Sequence, residues 1–239
     1  MRIAVVSDIH DNLTALEAVL RDLRQTAPDL ILHGGDLVNG GSRPVEVVAR
    51  IRELGWPGVI GNTEESVATP ETLEHFAGSS SAPASLWTAV REMVAHTREL
   101  LGDENIAWLR GLPRVHVQSP IALVHASPED PWRSPGPEAS NVELRETFSG
   151  LGQPIAVYGH IHQPFVRRLE MPTVINSGSV SQSFDGDPRA SYLLLDDYLP
   201  SIRRVEYDID REIKAVFASG VPHAGWVVRI LKTARPQMP

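Results

Sequence analysis

Short β-branched apolar runs alternate along this chain with longer stretches whose apolar residues recur at helical spacing. Five runs stand out: Ile3 to Val6, Leu30 to Leu32, Val59 with Ile60, Ile121 to Val124, and Ile155 to Tyr158. Runs of this length separated by helical patterns read as buried strands. After the first run, Leu13, Leu16, Val19, Leu20 and Leu23 predict an amphipathic helix. Pro44 to Leu54, with Val45, Val48 and Ile51, predicts a second, ended by Gly55 and Pro57. Ser66 to Ser85, rich in Ser, Ala and Pro, reads mainly as loop, followed by helical patterns over Leu86 to Leu101 and Asn105 to Leu109. Pro128 to Pro137 holds four prolines and reads as a stiff loop. Strands return at Thr173 to Ile175, Ser191 to Leu195 and Ile202 to Tyr207, and helices at Arg211 to Ala218 and Trp226 to Leu231. There is no internal repeat, and the alternation places the chain in the α/β class.

Each of the five runs ends in a residue type that binds metals. The first leads to Asp8 and His10, the second to Asp36, the third to Asn62, the fourth to His125, and the fifth to His160 and His162. In open α/β sheets, ligands gather beyond the carboxyl ends of the strands, so distant segments can converge on one site. Within each pair, Asp8 with His10 and His160 with His162, extended chain would project both side chains to the same side. Gly35, Gly61 and Gly159 immediately precede Asp36, Asn62 and His160, where the backbone must turn or approach a bound group closely. Seven O and N donors exceed one tetrahedral ion and suit two ions sharing a carboxylate. Carboxylate and imidazole without thiolate select Mn, Fe, Co, Ni or Zn over copper or an iron–sulfur cluster. Burying several carboxylates without cations would be costly, which weighs against a purely structural role.

The ordered set Asp8-Ile9-His10, Gly35-Asp36, Gly61-Asn62, His125 and Gly159-His160-Ile161-His162 resembles the signature of the calcineurin-like metallophosphoesterases, from Met1 to about Leu195. Within that superfamily the chain is most similar to the small bacterial and archaeal phosphodiesterases, including the stretch from Asn176 to Val180 and that from Asp185 to Tyr192. The resemblance implies a four-layer α/β/β/α sandwich. It implies two divalent ions, manganese first among the candidates, with Asp8, His10 and His162 on one, Asp36 bridging, and Asn62, His125 and His160 on the other. A hydroxide between the ions would attack phosphorus. Asn62 would also orient the phosphate, with Asn12 matching a family asparagine of related role.

Two departures from the family pattern bear on chemistry. Thr63 stands where many members carry a histidine that protonates the leaving group, and losing a general acid typically removes about 10²–10⁴-fold in rate. That points away from a protein phosphatase and toward phosphodiesters or activated esters. Asp11 replaces a glycine, and a cap on the following helix is its expected role. Trp132 and Arg133, in the proline-rich loop just after His125, are candidate substrate contacts, a stacking face and a phosphate clamp. Arg189 is a further candidate for phosphate, against a salt bridge within the Asp185 to Asp187 loop. His33 is expected as a satisfied core residue, and His75, His96, His116 and His223 as surface residues.

Composition sets the outer bounds. With 239 residues and 42% hydrophobic content, one domain spanning 1–239 is expected, with 66–113 as a helical insertion forming a rim or lid, or merely a peripheral helical pair, and 208–239 as C-terminal helices. The net charge is −8 and the basic residues form no stripe, which disfavours nucleic-acid binding. Cysteine is absent, excluding disulfides and thiolate sites. No basic stretch leads into a long apolar segment, so no membrane association and a cytoplasmic location are expected. There is neither a Walker lysine after Gly40-Gly41-Ser42 nor a serine-hydrolase elbow. The expected activity is hydrolysis of a small phosphodiester or nucleotide. The alternatives are a diadenosine tetraphosphatase and, from another class, a catalytically weak protein-binding platform like the retromer subunit that shares this fold.

Overall fold

The computed structural model describes all of residues 1–239. The first sheet runs in the order β2 (Leu30–His33), β1 (Arg2–Val6), β8 (Ala190–Asp196), β9 (Leu199–Val205). The second runs β3 (Val115–Gln118), β4 (Ile121–Val124), β5 (Ile155–Tyr158), β7 (Thr173–Asn176), β6 (Phe165–Arg168). β1 pairs in parallel with β2, and β4 with β5, whereas β8, β9, β3 and β6 join antiparallel.

Side-chain alternation in β1 shows how the layers assemble. Ile3 and Val5 point into a cluster with Leu32, Leu193 and Leu195 of the same sheet and Ile121, Leu123, Ile155, Val157 and Ile175 of the other. Ala4 and Val6 point the opposite way, onto Leu16, Val19 and Leu23 of α1 (Leu13–Thr26) and Val47, Val48 and Ile51 of α2 (Pro44–Leu54). On the far face of the second sheet, Val124, Ala156, Tyr158 and Val174 meet Leu144 and Phe148 of α6 (Asn141–Phe148). Helix, sheet, sheet and helix therefore stack in the expected four-layer sandwich. A strand buried on both faces needs apolar residues at every position, which is why these runs are continuous rather than alternating.

Several elements differ from expectation. Val59 and Ile60 form no strand; Val59 donates to the His33 carbonyl and Gly58 makes a single parallel bridge to His33, so this is an extended segment beside β2. Most of Ser66 to Ser85 is helical, within α3 (Asn62–Ala68), α4 (Pro70–Ser79) and the start of α5 (Ala84–Arg110). Pro70 occupies the first turn of α4, where its missing N–H is not needed, so proline there starts a helix rather than breaking one. Gly102, at φ 68° and ψ 169°, interrupts α5 and divides it into the two helical stretches expected. β3, β6 and α6 were not expected; β3 and β6 are four-residue edge strands without apolar alternation on a buried face, and α6 opens on Ser140, whose hydroxyl accepts from Glu143 N–H at 3.1 Å. The C-terminal helices are α7 (Ile209–Ala218) and α8 (Ala224–Thr233), which pack through Val216, Val227, Val228 and Leu231 against Met93 of α5. No helix is long and apolar enough to cross a membrane.

Two side chains play parts other than those expected. Asn12, not Asp11, caps α1, its Oδ1 accepting from Ala15 N–H at 2.9 Å. Asp11 instead accepts from Gly41 N–H at 3.3 Å. His33 is fully buried, yet neither ring nitrogen bonds a protein group. Burial, reinforced by nearby His116, pushes its pKa down to about 4. The unfolded chain takes up this proton near pH 6.5 and the folded chain only near 4. His33 therefore leaves stability intact above that range and costs about 3 kcal/mol as the pH falls through it. His33→Leu should lose markedly less stability than the parent between about pH 7 and pH 4, read as urea midpoints; parallel losses would contradict this account.

Candidate active site

The loops that follow the parallel strands β1, β2, β4 and β5 meet at one end of the sandwich. Asp8 and His10 leave β1, Asp36 leaves β2, His125 leaves β4, and His160 and His162 leave β5. Asn62 opens α3 at the end of the segment beside β2. All seven sequence-predicted ligands come together in two groups. Donor atoms of Asp8, His10, Asp36 and His162 lie within 4.8 Å of one another, as do those of Asp36, His125 and His160. Asp36 belongs to both. Asn62 Oδ1 joins the second group, 3.0 Å from His125 Nε2 and 2.9 Å from His160 Nδ1.

The imidazole hydrogen bonds reveal what the centre is built to hold. His10 Nδ1 bonds the Asn39 carbonyl at 2.7 Å, His125 Nδ1 the Gly34 carbonyl at 2.8 Å, and His162 Nδ1 the Gln182 carbonyl at 2.5 Å. A carbonyl can only accept, so each Nδ1 carries a proton and each ring turns its Nε2 to the centre. His10 Nε2 and His162 Nε2 stand 3.2 Å apart, and His162 Nε2 lies 3.2 Å from Asp8 Oδ1. His125 Nε2 faces Asn62 Oδ1 and, at 3.3 Å, Asp36 Oδ1. Carboxylate and imidazole groups crowded in a buried space call for positive charge among them, and a proton on His125 Nε2 is one way to supply it. Burial alone would push His125 down, yet the Asp36 carboxylate pulls it up to about 10. Asp36, despite its own burial, is held far below the ordinary carboxylate range by His125. His160 moves the other way, down to about 4, through burial and the neighbouring His125. The donor set thus fits divalent cations, with carbonyl-anchored histidines fixing ligand direction as at established metal sites.

The backbone is bent to this purpose. Asp8, His10, Asp36, His160 and His162 have φ of 58°, 46°, 50°, 66° and 55°. The paired ligands therefore share a side through left-handed turns, not through extended chain as the spacing suggested. Each such non-glycine conformation costs of order 1–3 kcal/mol and persists only where the surroundings impose it. Here Asp8 N–H donates to Gly35 O, His10 N–H to Asp36 O, and His160 N–H to Asp8 Oδ1, each at 3.0 Å. Gly61 and Gly159 serve close approach rather than turning. A Cβ on Gly61 would lie 2.1 Å from Asp36 Oδ1, and one on Gly159 2.3 Å from Asp8 Oδ2.

Glu64 is the functional residue that sequence reasoning passed over, although it stands in the quoted Gly61-Asn62-Thr63-Glu64. Fully buried, its carboxylate accepts from the N–H groups of Asp36, Leu37, Val38 and Gly61 at 2.7 to 3.2 Å. It thereby ties the Asp36 loop to the start of α3. Burial and the Asp36 charge push its carboxyl up to about 7. Thr63 donates from both its backbone N–H, at 3.0 Å, and its hydroxyl, at 2.9 Å, to Asp36 Oδ1.

The remaining candidates divide. A cavity of about 330 Å³ opens over His10, Asn62 and His160, and Trp132 lines it together with Phe76, Trp87 and Trp226. Trp132 stacks on Phe76, ring centroids 4.7 Å apart, and donates to Glu65 at 2.6 Å. Arg133 lies outside that cavity, over Phe76 and bonded to Ser79 and Asp130. Arg189 also lies outside it, paired with Asp187 at 2.6 Å. Asn12 is buried, its amide donating to Ser181 Oγ at 3.1 Å, and does not line the cavity. The segment 66–113 contributes Phe76, Trp87, Val90 and Met93 to the cavity wall.

Comparison with known proteins agrees with this geometry. The calcineurin-like phosphoesterase superfamily domain matches residues 1–197. An uncharacterised protein of Methanocaldococcus jannaschii is 33% identical, covering 92% of this chain and 93% of that one. A metallophosphoesterase from Sphaerobacter thermophilus is 29% identical in its crystal structure, with a TM-score of 0.79 over 98% of this chain and 99% of that one. Phosphodiesterase YfcE of Escherichia coli is 26% identical over 84% of this chain and 91% of its own length. With the strand-end ligands, the fold and the match over most of its length in agreement, the chain belongs to the calcineurin-like phosphoesterase superfamily and is a metal-dependent phosphoric ester hydrolase.

Proposed function

We propose that this protein is a phosphodiesterase working with two divalent ions, manganese the first candidate. The observation that carries the reading is the pair of donor groups sharing Asp36, with imidazole Nε2 atoms turned toward carboxylate and amide oxygens. Asp8, His10 and His162 would hold one ion, Asn62, His125 and His160 the other, and Asp36 both. When bound, such ions supply Lewis acidity and an activated water at neutral pH. Asn62 stands at the cavity floor, where its amide can orient a phosphoryl oxygen.

Preference for diesters follows from the side chains around that floor. No histidine takes the place of Thr63, and the Thr63 hydroxyl is committed to Asp36. Glu65 is engaged by Trp132 and Arg114, and Glu64 is sealed in its loop. No side chain of the cavity is free to protonate an alkoxide, so esters with good leaving groups react best. The cavity carries no arginine or lysine to neutralise the second charge of a monoester. The same absence weighs against a dinucleoside tetraphosphate, whose successive phosphates need cations along their length.

Asp36→Ala should lower turnover of bis-p-nitrophenyl phosphate at least about thousandfold and reduce bound manganese below two equivalents by elemental analysis. Full activity in a folded variant would end the dinuclear reading. Glu64→Gln keeps the shape but halves the carboxylate's accepting oxygens; metal affinity should fall roughly 10- to 100-fold, the range for partners that position ligands. An unchanged affinity by competition with a chelator would remove the assigned role. Thr63→His should raise monoester turnover relative to diester turnover, and a constant ratio across p-nitrophenyl substrates would show that leaving-group protonation does not limit the reaction.

A further inference from the structure

We infer that the cavity beside the metal ligands is a subsite for a flat, apolar aromatic group carried by a singly charged phosphodiester. This rests on the phosphodiesterase reading and adds the class of the esterifying group. The cavity floor contains His10, Asn62 and His160, so whatever fills the cavity is continuous with the phosphoryl position. The wall is apolar: Phe76 from α4, Trp87, Val90 and Met93 from α5, Trp132 from the proline-rich loop, and Trp226, Val227 and Ile230 from α8. The α8 residues lie beyond the region matched by the superfamily domain, so the rear of this pocket is supplied by the C-terminal helix α8.

Three observations select the occupant. First, the lining has no lysine or arginine, so an added phosphate or carboxylate would lose hydration without compensation. Second, most polar atoms of the lining are already engaged. Gln182 Nε2 donates to Gly40 O at 2.8 Å, Ser66 Oγ to Asn62 O at 2.6 Å, Thr63 Oγ1 to Asp36, and Trp132 Nε1 to Glu65. Those groups have little left for the hydrogen-bonding edge of a nucleobase. Trp87 Nε1 differs, buried with no acceptor in the protein. Third, the indoles of Trp87, Trp132 and Trp226 give the pocket broad flat surfaces, and aromatic contacts of this kind favour another ring. Phe76 braces the group, stacked on Trp132 and edge-on to Trp87 at 5.6 Å. At about 330 Å³ the cavity is at the small end of ligand sites, room for one ring system and a phosphoryl group rather than two nucleosides.

The test uses phosphinates, singly charged and without an ester bond to hydrolyse, titrated into the manganese-supplemented protein by tryptophan fluorescence. Naphthylmethyl(methyl)phosphinate should bind at least about tenfold more tightly than dimethylphosphinate, about 1.4 kcal/mol, and more tightly than a thyminylmethyl analogue or tripolyphosphate. Trp226→Ala should bring the aryl preference to within about twofold, and Val90→Lys should raise tripolyphosphate affinity while lowering that of the naphthyl ligand. Equal binding of methyl and naphthyl ligands, or tighter binding of thymine or tripolyphosphate, overturns the proposal. Bis-p-nitrophenyl phosphate turnover in the same samples separates the two readings. Turnover without aryl preference removes the subsite alone, and aryl preference without that turnover supports the subsite and counts against the phosphodiesterase assignment.

Discussion

The crowding of buried carboxylate and imidazole groups that call for positive charge among them governs the design of this molecule. Carbonyl groups of Gly34, Asn39 and Gln182 fix three imidazoles with their Nε2 atoms inward, toward Asp8, Asp36 and Asn62. The backbone accepts five left-handed non-glycine residues to create that arrangement. The chain can sustain such cost because the loops are laced to one another by backbone bonds, with Glu64 gathering four N–H groups at their junction. Local instability is thereby concentrated where cations can relieve it and is offset by the two-sided burial of β1, β4 and β5.

How much of this could be read from residues alone depended on how local the physics was. Ile121 to Val124 and Ile155 to Tyr158 form strands over the expected bounds, because an apolar run closed by a ligand loop has few other solutions. The seven ligands were legible for the same reason, each lying just past such a run or, for Asn62, past an extended segment that serves like one. The left-handed φ values were not, since nothing in Asp8-Ile9-His10 distinguishes extended from turned backbone. That the pairs share a side was right, and the mechanism was different. α4 was hidden because the Ser- and Pro-rich stretch after it reads as loop and Pro70 reads as a breaker unless its place in the first turn is known. The aromatic pocket was least accessible of all. Phe76, Trp87, Trp132 and Trp226 come from four separate segments, α4, α5, the proline-rich loop and α8, which meet only in the folded chain.

The two parts of the site have different structural origins. Six of the ligands hang from sheet ends, and Asn62 opens α3. The pocket wall comes from α4, α5, α8 and the proline-rich loop; α4 and α5 lean on the main core through Leu73, Val94 and Leu109, and α8 on a smaller one with Met93 and on the His223 to Glu92 contact at 2.7 Å. Metal ligands and pocket wall thus belong to different elements, which meet at His10, Asn62 and His160.

Each donor group draws on both sheets. Asp8, His10 and Asp36 follow strands of one, His125, His160 and His162 strands of the other, and neither group is complete on either sheet alone. An ion bound in either group would act as a rivet through the sandwich, seated only when the two sheets are in register. By mass action, occupancy at a hundred times the dissociation constant stabilises the native state by about 2.7 kcal/mol per independent site. The donor cluster would then also be a fastening, and the protein's resistance to unfolding would gauge the metal supply around it.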